Sequence, residues 1–108
     1  MAQSGWYAVR CVFDVGDTEA TSHTYEERVT VWQVANEDEA IAMAETEAQE
    51  YASNLGVTYL GLAQLYVLTD DLGHGAEVFS LMRDSDAAPE EYLSTHFATG
   101  RERARTFD

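Results

Sequence analysis

A short run of charged residues near residue 85 is the first place in this sequence where chemistry could occur. Arg83, Asp84 and Asp86 lie close together at the end of a predicted strand. A guanidinium beside a carboxylate shifts the pKa of that carboxylate, as acid and base catalysis often requires. Such clusters more often tie a strand end to the next helix. We keep these three residues as secondary candidates for a small-ligand-binding or catalytic site.

The turn before that strand carries possible metal ligands. Asp70, Asp71, His74 and Glu77 offer oxygen and imidazole groups. Their spacing matches no known metal-binding motif, and the 3 histidines of the chain lie in different segments. We therefore expect a hydrated turn, with no metal site and no cofactor.

Other catalytic signatures are missing from the sequence. It contains no glycine-rich phosphate loop, no Gly-x-Ser-x-Gly elbow and no His-Glu-x-x-His pair. Cys11 is the only cysteine, and its apolar neighbours predict a buried, inert thiol. The sequence favours a protein without enzymatic activity but does not decide the question.

Length and charge limit the domain count and the partners. A chain of 108 residues is expected to form a single domain, residues 1–108, around one core. The net charge of -14 argues against nucleic acid, because phosphate binding needs clustered Lys and Arg. Neither a signal peptide nor a membrane span is visible, so we expect a cytoplasmic protein with no membrane partner. The acidity could also reflect genome bias or a high-salt cytosol.

The elements that must position these residues follow from the apolar patterns. Asn36 can cap a first helix, with Glu39 three residues later as in a capping box, and Gly56 suits the end of that helix. Pro89 opens a second helix, which Gly100 ends. Strands are predicted at residues 6–13, 25–34, 58–69 and 76–83. The order ββαββα predicts an α+β fold with one mainly antiparallel four-stranded sheet, a long crossover helix and a short C-terminal helix. The strand order is not determined.

Several stretches of the chain resemble a known family. They are Trp6 to Arg10, Tyr25 to Val29, Glu39 to Ile41, Tyr59 to Gln64, Gly75 to Ser80, Arg83 to Asp86, Tyr92 to Leu93 and Thr99 to Gly100. Over nearly its whole length the chain resembles a bacterial family of small acidic domains of unknown function. The family has no assigned activity or ligand residues, so the resemblance implies no function.

The residues best suited to binding lie on the first two strands. Trp6 and Arg10 share one parity on strand one, and Arg28 and Trp32 share one parity on strand two. If the two strands pair as a hairpin, one sheet face is expected to carry two Trp and two Arg, which are types enriched at protein interfaces. The alternative is that the second helix or Glu26 covers this face and that Arg stacks on Trp for structural reasons.

The third predicted strand is apolar on both sides, so the sheet needs two covers. The short second helix cannot readily span four strands, and a homodimer or a protein partner would complete the cover. We therefore expect a non-enzymatic protein-interaction module of an accessory or immunity type. The alternatives are a small-ligand-binding or catalytic domain around Arg83, Asp84 and Asp86, and an acidic mimic of nucleic acid.

Overall fold

The computed structural model describes residues 4–16, 23–97 and 99–102 and shows a small α+β fold. The elements are β1 (Gly5–Asp14), β2 (Tyr25–Val34), α1 (Glu37–Leu55), β3 (Thr58–Val67) and α2 (Pro89–His96). The strand order is β2-β1-β3, and both outer strands run antiparallel to β1. Among the described residues, no helix is long and apolar enough to cross a membrane.

The predicted four-stranded ββαββα sheet is wrong, because the sheet has three strands and the order is ββαβα. β3 ends at Val67, and residues 76–83 form no strand. Residues 76–83, which we call the crossing segment, instead pass over the sheet, where the Phe79 ring lies 6.0 Å from the ring of Tyr66 and 4.8 Å from the Arg10 guanidinium. An alternating apolar pattern arises whenever every second side chain contacts a surface, so it did not require a paired strand.

The sheet has two distinct faces, because successive side chains of a strand point to opposite sides. The helix face is the side covered by α1, and it carries Tyr7, Val9, Cys11 and Phe13 of β1. The open face is the opposite side, and it carries Trp6, Ala8, Arg10 and Val12 of β1.

Helix α1 begins and ends as its sequence predicts. The Asn36 side chain accepts a hydrogen bond from the Glu39 N–H at 2.9 Å, and the Glu39 carboxylate accepts one from the Ala35 N–H at 3.0 Å. These bonds satisfy N–H groups that the first helical turn leaves without partners. At the other end Gly56 takes the left-handed conformation, with φ of 69°.

The core lies between α1 and the helix face. Four alanines spaced four residues apart form the buried stripe of α1: Ala40, Ala44, Ala48 and Ala52. Small side chains let the helix approach the sheet closely, and the space is filled from β1 by Phe13 and Val9, the largest fully buried side chains. The Phe13 ring meets Tyr51 of α1 edge to face at 5.0 Å. The core is therefore short of large residues on the helix side and depends on β1.

The chain after β3 has no core of its own. From Thr69 to Glu102, no residue that the structure describes is buried. Pro89 occupies the first turn of α2, as predicted, but the helix ends at His96. Within the described ranges, α2 contacts no other helix or strand.

Candidate protein-interaction surface

The strand register separates the four residues predicted to form one binding surface. Arg10 lies opposite Val29 on the open face, whereas Arg28 lies opposite Cys11 on the helix face. Trp6 likewise faces away from Trp32, which lies opposite Tyr7. The expectation that the two Trp and two Arg share a face is therefore wrong. Alternation within one strand shows which of its residues share a face. Only the register between two strands shows which residues of the neighbouring strand lie on that same face.

Arg10 lies at the centre of the open face and links its three strands. Its guanidinium donates to the Gln64 side chain of β3, with the Nε at 3.1 Å, and lies 3.2 Å from the Glu27 carboxylate of β2. The Phe79 ring lies 4.8 Å from the guanidinium carbon, in a cation–π arrangement. Only 17% of the Arg10 side chain is exposed. Arg10 thus holds the sheet together and anchors the crossing segment, and offers little surface to a partner.

Arg28 connects β2 to α1 on the helix face. Its guanidinium lies 2.6 Å from the Glu47 carboxylate and 4.0 Å from the centre of the Tyr51 ring. The hydrogen bond to Glu47 is the main reason that the pKa of Arg28 lies above its ordinary value. Arg28 therefore has a structural partner within the chain.

Neither indole is an exposed anchor. Trp32 is half-buried against the core, and its Nε1 donates to the Thr30 hydroxyl at 2.8 Å. Trp6 is also half-buried, and its carbonyl accepts the N–H of Leu68 at 3.0 Å. The second helix or Glu26 was the alternative predicted cover for this sheet face. In the structure the residues after β3 contact the open face instead.

β2 carries three of the exposed apolar residues of the sheet. Tyr25, Val29 and Val31 project from the open face with 57%, 41% and 37% of their surfaces exposed. The crossing segment contacts Arg10 of β1 and Tyr66 of β3 through Phe79, and the nearby Ala8 is fully buried, whereas the three β2 side chains are exposed. Their common parity in the sequence predicts that these three side chains share a face, but it does not predict that this face is exposed.

The opposite edge of the sheet is irregular. The pairing of β3 with β1 shifts between Cys11 and Phe13, where Gly61 adopts a φ of 80°. Such a bulge needs a residue that tolerates positive φ, and glycine does so without strain. Leu60 and Leu62 on either side of Gly61 are about half exposed. Both edges therefore carry apolar side chains, but only β2 is straight.

An open groove of about 750 Å³ adjoins β2 at the hairpin end of the sheet. Tyr25, Tyr51 and Leu55 contribute to its walls. Beside it, the His23 Nδ1 lies 2.7 Å from an Asp14 carboxylate oxygen, and the Gly16 N–H donates to the other oxygen at 3.1 Å. The Gly16 bond and then the His23 bond lower the pKa of Asp14. The groove has a mixed lining, because Glu26 and Glu27 of β2 and Arg101 and Glu102 also contribute to its walls.

The secondary candidates do not form a built site. The Arg83 guanidinium donates to the Tyr92 hydroxyl at 3.1 Å, and Arg83, Asp84 and Asp86 are all exposed. This contact ties the segment after Phe79 to α2, which is the structural role that such clusters commonly have.

No metal centre is assembled in the part of the chain that the structure describes. In that part, no three His, Cys, Asp or Glu side chains converge as ligands would, and the 70–77 turn is no exception. Cys11 is buried, and burial raises the pKa of its thiol, which lowers the thiolate fraction that a nucleophile or a metal ligand would need.

The comparisons with known proteins add no relative. The chain matches no protein-family model, no curated protein and no solved structure. The candidate surface therefore rests on geometry alone, and the family resemblance of the sequence stays a prediction.

Proposed function

We propose that this protein is a non-enzymatic protein-interaction module that binds through its β2 surface. By β2 surface we mean the edge of β2 that pairs with no strand among the described residues, together with its open-face side chains Tyr25, Val29 and Val31. The observation that carries the proposal is the position of these exposed apolar side chains on an edge strand without a register shift, where Val29 and Val31 are neighbours on one face and Tyr25 lies beyond Glu27. Exposed apolar side chains on an edge strand mark a place where another chain can pair.

The charge of the chain selects the class of partner. A net charge of -14 repels nucleic acids and anionic membrane surfaces, whereas apolar side chains in a β-strand suit another polypeptide. Glu27, with 63% of its side chain exposed, borders the apolar residues and adds polar character to the rim. The partner is accordingly expected to be a polypeptide whose contact surface is apolar at its centre and places no carboxylate opposite Glu27.

A photo-crosslinking amino acid placed at Val29 tests the proposal in the native host. We expect a discrete protein adduct from this position, because Val29 lies within the β2 surface. The matched control is the same amino acid at Ser53, which is exposed on α1, away from the β2 surface. Equal adducts from both positions, or none from Val29, would contradict the proposal.

A further inference from the structure

The β2 edge has backbone groups that are ready to pair. In an antiparallel ladder, hydrogen-bonded pairs alternate with pairs whose N–H and C=O groups point away. The Val15 N–H donates to the Thr24 carbonyl at 2.8 Å, just beyond the ladder, which sets the phase of this alternation. It follows that Thr30 exchanges its hydrogen bonds with Val9 of β1, while the backbone groups of Val29 and Val31 point to the outer edge.

This edge lacks most of the features that usually block pairing with another chain. Proteins protect edge strands with proline, charged side chains, bulges or a very short strand. β2 is 10 residues long, contains no proline and pairs with β1 without a register shift, and its charged residues, Glu26, Glu27 and Arg28, all lie in the half of the strand before Val29. The edge formed by β3 is interrupted by its bulge at Gly61. β2 is therefore the edge that can accept a strand.

We infer that the strand it accepts is β2 of a second copy, in an antiparallel pair centred on Thr30, which forms a continuous six-stranded sheet. The inference rests on the proposed function and names the partner of the same surface. A two-fold axis through Thr30 and perpendicular to the sheet keeps both α1 helices on one side. Val29 of each copy then lies opposite Val31 of the other, as a hydrogen-bonded pair.

The side chains favour this register over its neighbours. Centring on Thr30 also places Arg28 opposite Trp32 of the second copy and Glu27 opposite Gln33, so that no like charges meet. Opposed apolar pairs stabilise a sheet, and like charges directly opposite destabilise it. Centring on Val29 would place Val31 opposite Glu27, and centring on Arg28 would place two guanidinium groups together. Only the Thr30 register buries both valines against each other.

Electrostatics gives the pairing a distinctive salt dependence. Each copy carries a net charge of -14, so the two chains repel at low ionic strength. Added salt screens this repulsion, and self-association is expected to strengthen with salt. Binding of a basic partner to the same acidic protein would weaken with salt. The direction of the salt effect thus distinguishes a second copy from a basic protein.

Disulfide trapping tests the register. At the two-fold axis the Thr30 residues form a non-hydrogen-bonded pair with Cα atoms about 4.5 Å apart, which a disulfide can bridge. Thr30→Cys is expected to give a covalent dimer on mild oxidation. The matched control is Thr58→Cys, which is exposed on β3 and is expected to remain monomeric. Equal crosslinking of the two variants would overturn the register.

Sedimentation of the unmodified chain tests the association itself. We expect a dimer fraction that grows with protein concentration and with salt, and its loss in Val31→Pro. This proline removes only the N–H that points to the outer edge and leaves the bonds to β1 in place. If Val31→Pro does not melt cooperatively, Val31→Lys replaces it with the same expectation. A wild-type chain that stays monomeric at high concentration and high salt overturns the inference. The proposed function would then stand if the photo-crosslinking amino acid at position 29 still forms an adduct with another protein. If no adduct forms, both the dimer and the proposed function are overturned.

Discussion

The two parts of this chain are held in different ways. Residues 5–68, which we call the sheet–helix unit, contain every buried residue that the structure describes. Residues 69–102, which we call the C-terminal segment, add none and lie on the surface of the unit. Stability is not uniform within a protein, and regions with few buried apolar contacts open at lower free energy than the core. We expect the sheet–helix unit to carry the folding cooperativity and the C-terminal segment to follow it.

A pair of matched phenylalanine truncations gives the largest expected contrast. Phe13 is fully buried between Tyr51 and Tyr59, so Phe13→Ala is expected to cost about 4 kcal/mol of unfolding free energy. Phe79 is only partly buried, and Phe79→Ala is expected to cost no more than about 1 kcal/mol. Urea unfolding of both variants makes the measurement. Similar costs would mean that the C-terminal segment is as much part of the core as β1 is.

The alanine stripe of α1 predicts a second, smaller effect. Ala48 is buried where the helix lies close to the sheet, so Ala48→Leu is expected to destabilise the fold by about 1–3 kcal/mol through overpacking. Gln49→Leu places the same side chain at the exposed neighbouring position and is the matched control. Unfolding curves that show both variants within error of the wild type would mean that the helix does not approach the sheet as closely as the structure shows.

Two tyrosines are expected to differ in their effect on the pH dependence of the unfolding free energy. Burial, with a hydrogen bond to Glu45, raises the pKa of Tyr59 in the core, and a hydrogen bond to Glu77 raises the pKa of Tyr66 where the C-terminal segment begins. A tyrosine whose pKa is raised in the folded state contributes its full stabilisation at pH values below its pKa in the unfolded chain, which is about 10. This contribution is lost as the pH rises through the pKa in the folded state. Tyr59→Phe is expected to flatten the alkaline loss of unfolding free energy, and Tyr66→Phe to change it little. An alkaline slope unaltered by Tyr59→Phe would contradict this.

The sequence predicted local features well because local chemistry determines them. The hairpin strands, the Asn36 and Glu39 cap, the Gly56 end and the Pro89 start all depend on residues a few positions apart. The alternating pattern of β1 also predicts that Tyr7, Val9, Cys11 and Phe13 share one face, and these four residues form the helix face. Spacings of three and four residues predict that one face of α1 holds Ile41, Ala44, Ala48, Tyr51 and Leu55. This is only approximately right, because Leu55 is 51% exposed and Ala40 and Ala52 complete the buried stripe instead.

Long-range pairing is what the sequence left undetermined. The register between β1 and β2 decides whether Arg28 lies on the same sheet face as Arg10. No local pattern within either strand determines that register. Residues 76–83 have strand composition, yet they contact the sheet through Phe79 and do not pair with it. The candidate surface in the structure differs from the predicted one for the same reason. The exposure of Val29 and Val31 depends on the path of the crossing segment, which no local sequence pattern determines.

Removal of α2 is the last prediction and the smallest expected effect. The helix begins at Pro89, has no buried residue and contacts no other element in the described part of the chain, so its deletion removes almost no buried apolar area. A chain ending at Ala88 is expected to keep cooperative unfolding and to lose less than about 0.5 kcal/mol. The Arg83 bond to Tyr92 disappears with the helix, but an exposed hydrogen bond of this kind contributes little net stability. Urea unfolding of the full chain and of the chain ending at Ala88 makes the comparison. Phe79→Ala is also introduced into both chains, so that its cost can be compared with and without α2. If the shortened chain lost cooperativity, residues 89–108 would contribute to the cooperative core, and the division into a sheet–helix unit and a dependent C-terminal segment would be wrong.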